Sequence, residues 1–378
     1  MPLLNFLPWC RLDREYAIGE ILLRPYSIGD DLPGLDEAAR RHVELIVGAY
    51  RDIEGKAFGH PSIAVWKGRS PLHDLSEEEE ETLGEMVTIA CFASLSHREL
   101  ASAGGRYSNS TRFTSYRTHF KEPGDFTMLV FRRREGRRGD GRSLLDLRFT
   151  SPVETSGNSD ITIDEPLAQA ITQFREQSTE TDWNRLLNSL TWFNFGNSDS
   201  ETVSIHMEFV AHASAIQELL GAGSDEKAFA QAIAPELLPS VELPAAGSTR
   251  DKGFWSSSSH PLRFEWAREL YRVRNQYAHG RVEVRRQNGW SADEHLTLAA
   301  IAFPLLVKRH LEKCGCYSLG LFEKGAVRGF ERLLNTEFLR IPDATTEDQR
   351  SPWQKIVANE ALSVASEGAA VKLQGEVQ

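Results

Sequence analysis

At 378 residues the chain is long enough for two domains with a core each, and its 40% hydrophobic and 26% charged content excludes a disordered or fibrous protein. The formal charge of −11 argues against a general nucleic-acid coat, because counterion release needs cations clustered on the contacting face. Four cysteines, no basic stretch ahead of Leu3 and a longest apolar run of ten residues, Leu298 to Val307, against the ~18 of a membrane span predict a reducing, cytoplasmic setting and no membrane contact.

The first 158 residues read as a mixed α/β domain. Ile18 to Pro25 and Phe126 to Phe131 have strand composition, and Leu145, Leu147 and Phe149 alternate with polar residues. Helices are predicted from Leu35 to Tyr50 and from Ser76 to Leu95, the second opened by a capping box between Ser76 and Glu79. Between the strands near 131 and 143 lies a loop rich in arginine, with Arg132, Arg133, Arg134, Arg137 and Arg138 at its centre. It reads as a basic hairpin tip, either a secondary grip on RNA or another acidic partner, or merely a solubilising surface.

From residue 159 the period changes to 3.6, with helical segments near 164–178, 181–195, 201–222, 225–238, 261–279, 292–314 and 319–337. The fold class is therefore α+β, a mixed α/β domain over 1–158 followed by an all-α bundle over 159–341. Residues 342–378 form a tail or a docked helix. Pro304 predicts a kink or break in the sixth segment, and Pro239 to Ser259 reads as a long flexible loop. His212 falls on an apolar helix face and reads as a packed core histidine with Glu208 as partner.

The chemistry concentrates at the end of the fifth segment. Leu262, Trp266, Leu270, Val273 and Tyr277 form a buried stripe, and Gly280 supplies the stop. Off that stripe run Arg274, Asn275 and His279, with Asn275 and His279 one turn apart on one face and Arg274 within reach of a phosphate held over it. Imidazole exchanges protons near neutral pH, guanidinium forks onto phosphate oxygens and carboxamide orients a hydroxyl, so RNA cleavage by these groups requires no metal.

Cations also gather at helix C-termini for stability alone, and the arginine-to-histidine spacing recurs at Arg112 and His119 without helical patterning. Three features raise the Arg274 site above that background: the adjacent Asn275, the end of an amphipathic helix, and local charge. From Pro261 to Trp290 there are seven arginines and three glutamates, a net +4 in an acidic chain. Arg272, Arg281, Arg285 and Arg286 are the expected RNA-binding cations, and Tyr271 the aromatic open for stacking on a base. Cys314 and Cys316 lack the further ligands a zinc site needs, so neither metal nor cofactor is expected.

These residues resemble the HEPN superfamily, whose ribonuclease members carry Arg, a polar residue, three further residues and His at a helix end. Trp192 and Phe193 ahead of a helix ending Ala215, Ile216, Gln217, Glu218, Leu219, Leu220 resemble the ApeA-like branch of phage-defence ribonucleases, with Gln217 standing where a glutamate is common. The resemblance spans about residues 160 to 340 and implies an endoribonuclease that attacks the phosphodiester through the 2′-hydroxyl, often on tRNA. It also implies a toxic effector in antiviral defence by abortive infection, acting as a homodimer through the bundle. A dimer further suits a reaction needing both a base and an acid when each chain offers one matched histidine. The N-terminal domain is then the place for a phage trigger or regulatory partner. The alternative is a non-catalytic HEPN module that binds RNA, nucleotide or a partner protein.

Overall fold

The computed structural model describes residues 3–32, 34–100, 108–119, 127–132, 138–143, 145, 147–151, 160–280, 289–339 and 350–375. The chain divides into two compact units, one built from residues 1–97, 107–172 and 198–202, the other from 98–106, 173–197 and 203–378. The architecture is α+β, and among the described residues the strands lie in the first unit.

In the first unit, strands β1 (Leu3–Leu7), β2 (Tyr16–Ile18), β3 (Ile21–Pro25), β5 (Ser62–Trp66) and β6 (Tyr116–His119) form a sheet in the order β2-β3-β5-β1-β6, every neighbour antiparallel. Gly19, at φ +51, turns β2 into β3 where a side chain would be strained, and an added Cβ would meet Met86 Sδ at 2.5 Å. That contact also shows why helix α2 (Glu77–Leu95) lies so close. It opens with the expected Ser76–Glu79 capping box and buries Met86, Ile89, Ala90 and Phe92.

Helix α1 (Glu37–Gly48) contributes Val43, Ile46 and Val47 to a core shared with Leu4, Phe6, Ile63 and Val65. The short β4 (Tyr50–Arg51) pairs in parallel with β9 (Phe149–Thr150), which stacks the Tyr50 and Phe149 rings at 4.9 Å. β5 went unread in the sequence because SIAVW buries both faces and so shows no alternation, the pattern of a central strand.

A separate hairpin, β7 (Thr127–Arg132) with β8 (Arg138–Ser143), matches Arg132 to Arg138 at its turn end. The arginine-rich turn between them, including Arg133, Arg134 and Arg137, lies outside the described residues.

The second unit is helical. One of the divisions between the two units falls within helix α3 (Glu165–Gln177), near residue 172. α4 (Glu180–Phe195), α5 (Ile205–Leu220), α6 (Glu226–Ile233), α7 (Leu262–Ala278), α8 (Ala292–Lys313) and α9 (Leu321–Leu334) follow. Polar residues define their starts: Thr179 accepts from Asp182 N, Asp225 from Lys227 N and Ala228 N, and Ser291 forms a capping box with Glu294.

Two expectations are corrected here. Of the kink or break expected at Pro304, the break does not occur: α8 continues past it, with Phe303, Leu306 and Val307 buried around the missing N–H. The Pro239 to Ser259 stretch has no regular element, yet it is tied down rather than loose. Asp251 accepts from Gly247, Gly253 and Trp255 N–H groups, Thr249 bonds to Asn335, and Arg250 donates to the carbonyls of Leu334 and Thr336.

The C-terminal segment is a docked helix, α10 (Pro352–Gly375), packed along α9. Gly325 and Gly329 of α9 permit the approach: a Cβ on Gly325 would stand 2.7 Å from Val357 O, and one on Gly329 2.5 Å from Ile356 Cγ2.

Candidate functional site

α7 packs against α5, α6 and α9, and these neighbours explain which residues reach the surface. Trp266 meets Phe330 of α9 edge-on at 5.3 Å, Tyr271 meets Phe229 of α6 at 4.9 Å, and Tyr277 meets Phe209 of α5 at 5.2 Å. Leu262, Trp266, Leu270 and Val273 are buried as the stripe requires, each such side chain contributing about 1.5–3 kcal/mol. The first two and a half turns are buried nearly all round, whereas the last turn emerges from the bundle.

Arg274, Asn275 and His279 occupy that emerging end. Arg274 and Asn275 are half-buried and His279 is exposed. The Arg274 guanidinium donates from Nη1 to Asn275 Oδ1 at 2.9 Å, and its Cζ sits 5.3 Å from the centre of the Tyr271 ring. Arg274 Nε has no hydrogen-bond partner among the described residues. His279 is the C-cap, donating its backbone N–H to Asn275 O at 3.1 Å, and Gly280 at φ +70 turns the chain away. One turn apart, Asn275 and His279 lie on the opposite side of α7 from Val273 and Tyr277.

Tyr271 is corrected: it is 2% exposed, in the core against Phe229 and beneath Arg274, so it cannot stack on a base. Tyr277 is instead the partly exposed one, its ring 4.2 Å from that of His206. A step of six positions along α7 turns the helix by roughly 240°, so the sequence separated the faces of these tyrosines without saying which side carried α6.

The cationic window is also less free than its net charge implied. Arg263 is buried between Glu331 and Glu242 at 3.1 and 2.7 Å, Arg268 pairs with Glu265 at 3.2 Å, and Arg272 lies 3.6 Å from Glu269. Arg274 is left as the arginine of α7 held by a neutral amide and an aromatic face. Arg281, Arg285 and Arg286 lie outside the described residues.

Sequence reasoning missed a buried polar cluster on the other side of α7. Glu269 accepts from the Gly289 and Trp290 backbone N–H groups at 3.0 and 3.2 Å, and its Oε1 stands 2.9 Å from His295 Nε2. Both side chains are almost fully buried. Glu269 and His295 are 26 positions apart on different helices, so no local spacing marks them; the one hint was a glutamate inside a helix otherwise buried around it.

His212 is a core residue, set edge-on to Phe193 at 5.4 Å, and burial holds its imidazole down to about 3 despite a hydrogen bond to the Gly196 backbone. Arg112 is buried in the short turn Ser110–Phe113 ahead of β6, and desolvation lowers the pKa of its guanidinium. Gln217 directs its amide to the Ala222 carbonyl at 3.4 Å, just past the end of α5. Trp192 is 40% exposed whereas Phe193 stacks on Phe303 at 4.6 Å.

Cys10 and Cys91 are buried and Cys314 is exposed, and among the described residues no group of three or more His, Cys, Asp or Glu side chains is arranged to hold a metal. Nor, among those residues, is any helix long and apolar enough to cross a membrane. No known protein family, curated protein or solved structure matches this chain.

Proposed function

We propose that this chain is a metal-independent endoribonuclease of the HEPN type, with Arg274, Asn275 and His279 as its working residues. The observation that carries the reading is the emergence of all three at one helix end, with the guanidinium bonded to the amide at 2.9 Å and the imidazole exposed one turn from that amide. In this reading Arg274 turns its remaining N–H groups onto a bridging phosphate, and His279 transfers a proton to or from the reacting oxygens. Asn275 holds Arg274 in place and orients the attacking 2′-hydroxyl.

One chain supplies one such histidine, so the proposal includes a homodimer in which a second His279 provides the complementary proton transfer. RNA, with tRNA as one substrate class, is the partner. A role as a toxic defence effector, restrained or triggered through the first unit, belongs to the same proposal.

The test is incubation of the purified full chain with total RNA and with tRNA in EDTA, alone and with candidate triggers, beside His279→Ala. Cleavage that falls about 10²- to 10⁴-fold in the variant is expected. Cleavage unchanged by the substitution overturns the assignment; RNA binding through Arg274 with no cleavage under any trigger supports the non-catalytic module instead.

A further inference from the structure

A cavity of about 420 Å³ opens beside α7 on the side away from Asn275 and His279. Tyr277 and Trp290 provide aromatic wall, Arg250 and Lys252 provide cations, and Ala292 and His295 bring in the first turns of α8. Within the range of small-molecule sites, that volume suits a ligand of mononucleotide size.

Three features of the lining point to the ligand's chemistry. The first is charge. Arg250 is offset by Glu294 at 2.8 Å, but Lys252 is exposed and has no ion-pair partner among the described residues, so the mouth carries an excess positive charge. The second is the start of α8, a helix of 22 residues. Its capping box uses the Ser291 and Glu294 N–H groups, and those of Ala292 and Asp293 take no part in it.

The third is His295. It is 1% exposed, it lines the cavity, and its Nδ1 has no hydrogen-bond partner among the described residues. Nε2 stands 2.9 Å from the Glu269 carboxylate, and in the tautomer that donates from Nε2 to that carboxylate Nδ1 is an acceptor. A buried acceptor left unsatisfied costs about 1–3 kcal/mol, and a ligand hydroxyl or N–H would remove that cost.

We propose that this cavity binds a small ring-bearing anion that also carries a hydroxyl or N–H donor. The ring lies along the partly exposed Tyr277, the anionic group meets Lys252 and the α8 N-terminus, and the donor bonds to His295 Nδ1. The inference does not rest on RNA cleavage, since the cavity and the Asn275–His279 face lie on different sides of α7.

The experiment is a thermal-shift and calorimetric titration of the full chain with adenosine 5′-monophosphate and uridine 5′-monophosphate as ring-bearing phosphates. 4-Hydroxybenzoate serves as a ring-bearing carboxylate, and inorganic phosphate and adenosine test each half of the ligand alone. At least one ring-bearing anion is expected to bind with Kd below about 1 mM and to raise the unfolding temperature. Which of them does so tells a phosphate from a carboxylate ligand.

Phosphate and adenosine should bind at least 10-fold more weakly, and Lys252→Glu and His295→Gln should each weaken binding by a similar factor. Should His295→Gln fail to fold, Lys252→Glu alone decides. His279→Ala should bind as the unaltered chain does, so this inference and the nuclease reading stand or fall separately. No binding by any ring-bearing anion, equal binding by phosphate alone, or unchanged binding by Lys252→Glu overturns the proposal.

Discussion

Arg274 donates to Asn275 Oδ1 at 2.9 Å while its guanidinium lies over the buried Tyr271 ring, so an adjacent amide and an aromatic face together aim the cation outward. Replacing Asn275 by aspartate turns this neutral partner into a competing anion. In the proposed nuclease, Asn275→Asp should weaken RNA binding about 10-fold or more, with folding stability changed by no more than about 0.5 kcal/mol, as for other surface substitutions. Fluorescence polarisation with labelled RNA, beside a denaturant titration, checks both. Unaltered RNA affinity would remove Asn275 and Arg274 from the site.

The buried pair Arg263–Glu331 joins α7 to α9 at 3.1 Å, with Glu331 fully buried and its carboxyl raised by that burial. Arg263→Met leaves the acid without its partner and should cost about 3–5 kcal/mol, whereas Arg263→Met with Glu331→Leu should recover most of the loss. Urea unfolding of the single and double variants measures the difference. Additive losses would show that the pair is not coupled.

Gly325 lets α10 seat on α9, because its missing Cβ would lie 2.7 Å from Val357 O, a backbone atom that cannot rotate aside. Gly325→Ala should destabilise the docked helix by about 1–3 kcal/mol and open α10 itself to limited proteolysis. Cleavage patterns identical to those of the unaltered chain would count against this packing. Gly368, with open space around the corresponding position, serves as the control and should tolerate alanine.

His212 makes the pH dependence explicit. Burial lowers its folded-state value from 6.5 to about 3, so the unfolded chain binds a proton in that interval that the folded chain refuses. Stability from this residue is therefore fully present above about pH 6.5 and is lost progressively as pH falls toward 3, by on the order of 3 kcal/mol between pH 7 and pH 4. Denaturant midpoints across that range should fall less steeply for His212→Gln than for the unaltered chain. Parallel slopes would show that the imidazole does not stay neutral inside.

Helix positions were largely legible because each bundle helix buries one stripe against a neighbour, which repeats every 3.6 residues, and because Ser76, Ser291 and their partner glutamates mark starts through bonds only three positions long. β1 and β5 were not, since strands covered on both faces lose their alternation. The break that was one of two outcomes expected at Pro304 did not occur, because a local rule about a missing N–H takes no account of packing on the rest of the turn.

At the candidate site the sequence by itself determined that Arg274, Asn275 and His279 end an amphipathic helix, with Gly280 turning the chain beyond it. Those are relations within one helical turn, and geometry at that range needs no tertiary contact. Only the tertiary structure decided that Tyr271 goes inward, that Arg263, Arg268 and Arg272 are already matched to carboxylates, and that Glu269 meets His295 across 26 positions. Burial and pairing depend on which helices surround α7, and that arrangement is set by the packing of residues distant in the chain.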